Sequence, residues 1–326
     1  MNTLYPLKFK PIFKDKIWGG QRIRTLLGMD FDPLPNCGEA WLISSYPGNI
    51  SVVENGFLAG NNLNELIEIY MDDLLGEKVF EKHKTTFPLL IKFIDAEQWL
   101  SLQVHPDDAL ARKYKHPNGK TEMWYVLHSE PGAELISGFS RNSNSQEYMK
   151  MLEEKRIAEI LNYEPTAKGD VFYMPAGRIH SLGPGNLVAE IQQTSDLTYR
   201  IYDWDRVDEQ GKGRPLHLNK AMEAINFQVE EAYKTHYSSR QNHPVELVAT
   251  PYFTANFMEI TTPVAKDLSL LDSFVVYLCT EGSGELTSQA GALQVHAGEA
   301  LLIPAGLDAI GWKPVGKMVL LEVYIP

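Results

Sequence analysis

One short pattern occurs twice in this chain and constrains the fold more than any other feature of the sequence. The stretch GDVFYMPAGRIH runs from Gly169 to His180 with the spacing G-x5-P-x-G-x2-H. The stretch GEALLIPAGLDA repeats the spacing from Gly298, but Ala309 stands in place of the histidine. In both copies an apolar run leads into Pro-x-Gly, which ends a strand and turns the chain. The repeat predicts two copies of one supersecondary unit, of which only the first keeps a site.

Strand-like segments dominate the rest of the sequence. They are rich in β-branched and aromatic residues and are bounded by turn formers, which predicts a mainly β fold, an antiparallel sandwich or barrel. The predicted strands cover 88–96, 99–104, 122–128, 133–139, 170–175, 187–193 and 197–204. The Asn118-Gly119 pair predicts a hairpin turn before the strand that opens at Glu122.

A few short helices complete the predicted organisation. Helical spacing of apolar residues occurs at 62–76, 145–161 and 217–227, and Ser143 with Gln146 predicts a capping box for the second. The polar stretch 231–245 is typical of a linker. We therefore expect a metal-binding domain at 1–230 and a second, degenerate domain at 246–326.

Composition narrows the class of protein. The 326 residues suffice for one large domain or two medium ones, and 44% of them are hydrophobic. A formal net charge of −12 without a Lys/Arg-rich run argues against nucleic acid or an anionic membrane as a partner. Cys37 and Cys279 are too few and too far apart for a disulfide framework or a thiolate zinc site. No signal-peptide core or membrane-length apolar run is evident, so we expect a cytoplasmic protein.

Four side chains form a candidate metal site. Gln103 and His105 alternate along a predicted strand and therefore point to the same side. Glu122 opens the next predicted strand, and His180 follows the repeated Pro-x-Gly. Two imidazoles, one carboxylate and one amide oxygen are predicted to converge on one divalent cation, and this donor set suits zinc.

Each of these residues also has a structural interpretation. A single histidine on a strand is more often a hydrogen-bonded core residue than a ligand, and Glu122 alone is compatible with a solvated strand position. Gln103 alone carries no signal. Only the four together, with the Pro-x-Gly-x2-His element, favour a metal.

The order of the motifs resembles a known family. The G-x5-P-x-G-x2-H element resembles the second motif of cupins, and Q-V-H-P followed by K-T-E resembles the type I mannose-6-phosphate isomerases of the short bacterial kind. Further matching segments, in the family's order, are Trp18-Gly19-Gly20, Gly38-Glu39-Ala40-Trp41, 87–92, Lys120-Thr121-Glu122 and 199–203. The resemblance covers residues 5–215 motif by motif and the C-terminal unit more loosely. It implies two cupin-like jelly-roll β-barrel units, the second without metal ligands.

The resemblance also implies an activity. The family interconverts mannose 6-phosphate and fructose 6-phosphate, moving a proton between C2 and C1 through an enediol. By this resemblance one divalent metal ion, with zinc expected, binds the four residues named above and acts as a Lewis acid. Arg200 matches the family's active-site arginine, and Glu190, Asp196 or a metal-bound water is the expected acid/base. The structural alternatives are a salt bridge of Arg200 with Asp203 or Asp205, and a structural role for Glu190 or Asp196 as a partner of Arg200.

Four more residues match positions of the family's pocket. Lys92, Ser101 and Lys120 are the expected phosphate-binding residues, and Trp18 is expected in the pocket wall. Lys92 stands inside an apolar run, where a buried ammonium requires an anionic partner or access to the pocket. Lys120 has an alternative interpretation as a solvated residue, and Trp18 as a packing residue.

The alternatives differ in class. An isomerase of another phosphorylated sugar is the nearest, and a non-catalytic cupin that binds a sugar phosphate is the next. An iron-dependent cupin dioxygenase fits less well, because one ligand position here is Gln103. We expect a small sugar phosphate as the only partner of a monomer or small homo-oligomer.

Overall fold

The computed structural model describes residues 4–208 and 210–326, and most of its regular structure is β-strand. The first fifteen strands are β1 Leu7–Lys8, β2 Ile12–Lys14, β3 Glu39–Ile43, β4 Ser45–Tyr46, β5 Asn49–Ile50, β6 Leu89–Ala96, β7 Leu102–Val104, β8 Glu122–Ser129, β9 Glu134–Phe139, β10 Leu161–Pro165, β11 Val171–Met174, β12 His180–Leu182, β13 Asn186–Gln193, β14 Tyr199–Tyr202 and β15 Lys234–Thr235. The last nine are β16 Val245–Ala249, β17 Thr254–Ile260, β18 Val264–Asp267, β19 Val275–Glu281, β20 Ser283–Ser288, β21 Gly291–His296, β22 Ala300–Ile303, β23 Ala309–Pro314 and β24 Met318–Tyr324. The predicted mainly β class is confirmed.

Helices are short and few in the described ranges. They are α1 Arg22–Leu27, α2 Leu63–Leu75, α3 Glu77–His83, α4 Asp108–Lys113, α5 Ser145–Glu153 and α6 Leu218–Ala224, with 3-10 turns at Gly56–Leu58 and Ile157–Ile160. An Asn62–Glu65 capping box starts α2. Among the described helices none is long and apolar enough to cross a bilayer.

The larger sheets are antiparallel and pack in successive layers. A five-stranded sheet (β10-β9-β12-β7-β14) faces a seven-stranded one (β15-β11-β8-β13-β6-β3-β2), and a six-stranded one (β1-β22-β19-β24-β17-β16) packs on a four-stranded one (β18-β23-β20-β21). One cluster of buried side chains, with Trp124, Val188 and Leu182, fills the first of these interfaces. A larger cluster joins the seven-stranded sheet to the six-stranded one.

Alternation along the central strands decides which side chains reach the site. In β6, Leu89, Ile91 and Phe93 belong to the large core shared with the six-stranded sheet. Lys92 and Ile94 point the other way, because successive residues of a strand face opposite sides. The seven-stranded sheet is thus buried on both faces, and its polar inward residues collect on the face toward the five-stranded sheet.

The structure corrects three details predicted from the sequence. Asn118-Gly119 does not form a hairpin between β7 and β8: these strands lie in different sheets, and α4 and a loop separate them. Residues 154–161 do not continue α5, and the helix is capped by Asn144, not by a Ser143–Gln146 box. After α5 the chain forms the 3-10 turn Ile157–Ile160 and then β10, which pairs with β9.

The predicted linker contains ordered contacts. β15 pairs with β11, and the hydroxyl of the buried Tyr233 donates to the carbonyl of Phe139. The N-terminal strand β1 pairs with β22 of the C-terminal half. The division into domains at 1–230 and 246–326 stays a prediction.

The repeated turn itself positions the site. Gly177 has φ +90°, and a Cβ there would lie 2.9 Å from the carbonyl oxygen of Ala224, so only glycine fits without strain. Its N–H donates to the carbonyl of His105 at 2.9 Å. The turn that precedes His180 therefore fixes the backbone of the other candidate histidine.

Candidate metal centre and adjoining cavity

Three buried side chains place metal-binding atoms together between the two N-terminal sheets. His105 Nε2 lies 3.5 Å from Glu122 Oε2, and His180 Nε2 lies 3.2 Å from Glu122 Oε1. The ligand atoms of the three residues lie within 4.8 Å of one another. Gln103 faces the same point, with Nε2 3.3 Å from His180 Nε2, and a half-turn of the amide exchanges its nitrogen and oxygen. The four residues predicted as ligands are thus neighbours.

Backbone acceptors fix the tautomers of the two histidines. His105 Nδ1 lies 2.9 Å from the Leu197 carbonyl oxygen, and His180 Nδ1 lies 2.8 Å from that of Arg178. A carbonyl accepts but cannot donate, so each Nδ1 carries the hydrogen and each Nε2 presents a lone pair. Burial and the neighbouring Lys120 ammonium hold the pKa of His105 well below its ordinary value, which keeps that ring neutral.

This donor set fits a divalent cation. The Lys120 ammonium lies between His105 Nε2 and Glu122 Oε2. On the other side the His180 Nε2 lone pair faces Glu122 Oε1 at 3.2 Å, which is repulsive unless a positive charge lies between them. Glu122 Oε1 is buried without a hydrogen-bond partner among the described residues. Burial alone would raise the pKa of Glu122, but the Lys120 ammonium outweighs it and holds that pKa well below its ordinary value. The carboxylate is therefore available as an anionic ligand.

A cavity of about 260 Å³ adjoins the cluster. All the residues predicted from the sequence to bind substrate or to act in catalysis line this cavity, as does Gln103: they are Trp18, Lys92, Ser101, Lys120, Glu190, Asp196 and Arg200. Most of these side chains are buried, and Asp196 is exposed. The space is lined largely by charged groups, as expected for a polar, anionic ligand.

Lys92 and Glu190 form the central ion pair of the cavity. Lys92 Nζ lies 2.6 Å from Glu190 Oε2, and Trp124 Nε1 donates to Glu190 Oε1 at 2.8 Å. Burial alone would lower the pKa of Lys92, but Glu190 and Glu39 outweigh it and raise that pKa, so the ammonium stays charged. Burial and the charge of Glu122 raise the pKa of Glu190. Lys92 therefore has both the anionic partner and the pocket access that its position requires.

Lys120 links the cavity to the metal-ligand cluster. Its ammonium contacts Glu122 Oε2 and lies 3.1 Å from His105 Nε2 and 3.8 Å from Glu190 Oε1. The side chain is buried, so the interpretation as a solvated lysine does not hold.

Arg200 is not used in an ion pair with any described residue. Its Nη1 donates to the carbonyl of Pro215 at 2.9 Å, and its buried Nε has no hydrogen-bond partner among the described residues. Asp203, expected as a structural partner, binds Arg206 and Arg214 instead. The arginine is therefore free to bind an anion.

Reasoning from the sequence missed two groups of cavity residues. Glu39 is buried and accepts from Trp41 Nε1 at 2.6 Å, while Lys16 Nζ lies 3.2 Å from its other oxygen. An acidic residue within the apolar strand GEAWLI was a usable signal. Arg214 lies in a polar loop and gave no such signal.

Comparisons with known proteins agree with the motifs. Residues 6–140 match the family model described as the catalytic domain of type I phosphomannose isomerase. Mannose-6-phosphate isomerase from Streptococcus mutans is 35% identical over 300 residues, which cover 92% of each chain. This chain belongs to the phosphomannose isomerase family. A second family member, mannose-6-phosphate isomerase ManA from Bacillus subtilis, is 35% identical over 94% of this chain and 95% of its own.

Solved structures of the family have the same fold. The mannose 6-phosphate isomerase from Bacillus subtilis superimposes with a TM-score of 0.87 at 32% identity, over 98% of this chain and 99% of the other. A mutant of phosphomannose isomerase from Salmonella typhimurium gives 0.80 at 16% identity, over 98% and 99% of the two chains, which shows the fold alone. The family predicted from the motifs is confirmed.

Proposed function

We propose that this phosphomannose isomerase family member interconverts mannose 6-phosphate and fructose 6-phosphate by moving a proton between C2 and C1 of the open-chain sugar. The observation that supports this most directly is the buried His105–Glu122–His180 cluster beside a charged cavity. Relatives that bear the name mannose-6-phosphate isomerase align with more than nine-tenths of the chain.

Gln103, His105, Glu122 and His180 would hold one divalent metal ion, and their donor atoms suit zinc. A bound metal would supply Lewis-acid polarisation of the sugar's oxygens. The Nδ1–H bonds to backbone carbonyls would keep both imidazoles oriented for binding.

Glu190 is the better placed of the two candidate proton-transfer groups. It is buried, touches Lys92 and lies near Lys120, whereas Asp196 is exposed. A raised carboxyl pKa suits a group that both takes and returns a proton near neutral pH. Lys92 would hold the Glu190 carboxylate in place, and Asp196 would assist at the cavity mouth.

The remaining cavity residues would bind and orient the sugar. Arg200 has unused donors for an enediolate or hydroxyl oxygen. Lys120 and Ser101 would bind oxygens near the metal ligands, and Trp18 would form an apolar wall. We propose a cytoplasmic monomer or small homo-oligomer without a nucleic-acid partner, which the net charge of −12 and the two buried thiols favour.

The test is fructose 6-phosphate formation from mannose 6-phosphate before and after chelation, and after addition of zinc, cobalt or manganese. We expect activity to be lost with the metal and restored by it, because the bound metal would supply the Lewis acid that polarises the carbonyl oxygen. Metal content is measured on the same samples by mass spectrometry.

The sequence offers a matched control. His105 ends the segment Gln103-Val104-His105, and His296 ends the same three letters, Gln294-Val295-His296, on the exposed strand β21. We expect His105→Gln to abolish metal binding and turnover and His296→Gln to change neither. Metal-loaded protein without turnover would reject mannose 6-phosphate as the substrate, and would favour another phosphorylated sugar or a binding role.

A further inference from the structure

The charges around the cavity are not balanced evenly. Five cationic and three acidic side chains line it, a formal excess of two positive charges in a protein of net charge −12. They are Lys16, Lys92, Lys120, Arg200, Arg214, Glu39, Glu190 and Asp196. Each of the three lysines lies within 4.0 Å of a carboxylate. Those partners are Glu39, Glu190 and Glu122, so the lysines are balanced and the unpaired positive charge lies among the arginines.

The arginine end of the cavity has a single acidic partner. Asp203 accepts from Arg214 Nε at 2.7 Å and from Arg206 Nη2 at 2.5 Å, so one carboxylate is shared by two guanidinium groups. Arg200 has no carboxylate partner among the described residues. Burial lowers the pKa of Arg200, and the positive charge of Arg214 lowers it further, as expected of two close like charges.

The backbone brings Arg214 to this position. The N–H of Arg200 donates to His217 Nδ1 at 3.1 Å, and the N–H of His217 donates to the Arg200 carbonyl at 2.7 Å. The Pro215 carbonyl accepts from the Arg200 side chain. The segment that follows β14 is thus tied back beside Arg200, and Arg214 lines the cavity while Arg206 does not.

We propose that Arg214 is a substrate-binding residue that contacts the phosphate group of the sugar phosphate. A phosphate monoester carries between about 1.5 and 2 negative charges at neutral pH. Arg200, Arg206 and Arg214 have the single carboxylate of Asp203 among them and together with it carry a formal charge of +2. A guanidinium held by Asp203 presents its remaining N–H groups in a fixed geometry and binds phosphate oxygens bidentately. The phosphate then lies at the arginine end, and C1 and C2 lie toward His105, Glu122 and His180. This assignment rests on the proposed function.

The assignment differs from the sequence-based expectation that Lys92 and Lys120 bind the phosphate. Each of these ammonium groups has a buried carboxylate of its own, Glu190 or Glu122, whereas at the other end one carboxylate, Asp203, is shared by two guanidinium groups and Arg200 has none. The difference in charge balance favours the arginine end for the phosphate.

The test measures binding of a non-reacting probe, so it does not depend on turnover. Glucitol 6-phosphate has no carbonyl to isomerise, and glucitol is its counterpart without the phosphate. Calorimetric titrations of the metal-loaded full-length protein give the affinity for each. We expect Arg214→Gln to lower the affinity for glucitol 6-phosphate about 10- to 100-fold, the effect of losing hydrogen bonds to a charged group. The affinity for glucitol should not change.

Arg206→Gln is the matched control, because Arg206 shares Asp203 but bonds to the Trp99 carbonyl outside the cavity. We expect its affinities to stay within about threefold of the wild type, the size expected of a surface ion pair. Arg214→Lys should recover part of the phosphate-dependent affinity. An Arg214→Gln variant that binds glucitol 6-phosphate as well as the wild type would overturn the assignment. Equal losses of glucitol 6-phosphate affinity in Arg214→Gln and Arg206→Gln would also overturn it, as would a wild-type protein that does not bind glucitol 6-phosphate. If the affinities are as expected but the wild-type protein does not turn over mannose 6-phosphate, the isomerase proposal is rejected and the assignment of Arg214 stands.

Discussion

Glu39 shows how a single buried acid organises the cations of the cavity. Its carboxylate accepts from Trp41 Nε1 and lies within 4.0 Å of both Lys16 and Lys92. Burial alone would raise its pKa, but Lys92 and Lys16 outweigh burial and lower it from 4.5 to about 2. The folded state therefore prefers the ionised carboxyl.

Glu39→Gln should lower stability in a pH-dependent way. A depressed carboxyl pKa contributes stability that is present above the unfolded value of 4.5 and is lost as pH falls toward 2. We expect the free energy of unfolding to be about 3 kcal/mol lower than that of the wild type at pH 7. At pH 3.5 this deficit should be smaller by about 1.4 kcal/mol. Urea unfolding of metal-free protein measures both, with the exposed Glu97→Gln as control. A deficit of the same size at both pH values would contradict this cause.

Some individual residues of the site could be predicted from the sequence, and others could not. Gln103, His105, Glu122 and His180 were recognisable because their residue types and order are those of a motif. Glu39 carried only the signal of an acid inside an apolar strand, and Arg214 carried none, since its importance comes from contacts that its loop makes in the folded chain. Two hydrogen bonds between His217 and the Arg200 backbone, one through the His217 ring, bring the segment with Arg214 to the cavity.

Strand pairing explains why the buried ion pair is so close. β6 and β13 are neighbours in the seven-stranded sheet, and Lys92 lies directly opposite Glu190. Directly opposite side chains on one face of antiparallel strands are in contact distance. Trp124 occupies the corresponding position on β8, on the other side of Glu190. The carboxylate is thus held by one residue from each flanking strand.

Lys92→Met should destabilise the protein by about 3–5 kcal/mol, because it leaves the Glu190 carboxylate buried without its closest cation. The double variant with Glu190→Gln removes the charge but keeps an acceptor for Trp124, so most of the loss should be recovered. Chemical unfolding of the four proteins of this cycle gives the coupling energy. Activity should stay low in all three variants. A double variant as unstable as Lys92→Met would show that packing, and not charge, causes the loss.

Elements were predictable where alternation was strong and not where pairing is distant. The predicted strands at 88–96, 122–128 and 187–193 differ from β6, β8 and β13 by one residue at an end. The Asn118-Gly119 prediction was wrong because a local turn signal says nothing about which sheet the next strand joins.

Across the whole molecule, the C-terminal half repeats the arrangement around the buried carboxylate. Glu322 on β24 lies opposite Asn256 on β17 and Tyr277 on β19. Both neighbours donate to it, at 2.9 and 2.6 Å, as the neighbours of β13 contact Glu190. Lys266 lies 2.6 Å from the same carboxylate. The buried carboxylate of Glu190 and its partners therefore have a counterpart on the face of the six-stranded sheet that packs against the four-stranded sheet.

The ligand positions have changed in that half. Glu122 pairs with Met174, the residue before Pro175, and Val275 pairs with Ile303, the residue before Pro304. Val275 therefore occupies in the second copy the position that Glu122 occupies in the first. Ala309 occupies the position of His180 in the repeated pattern. With an apolar side chain at both positions, the second copy lacks the carboxylate and the imidazole that a cation would need there.

The two halves share one core, which predicts that they unfold together. Phe274 packs against Phe87 with ring centroids 4.5 Å apart, and β1 of the N-terminal half pairs with β22. We expect Phe274→Ala to cost about 3–5 kcal/mol, the usual cost of a large cavity. Because the core is continuous, amide hydrogen exchange should accelerate by the same factor in β6 and β13 as in β19 and β24. The fully exposed Leu270, changed to alanine, is the control and should alter neither rate. Faster exchange confined to residues 246–326 would instead show that the predicted domains open independently.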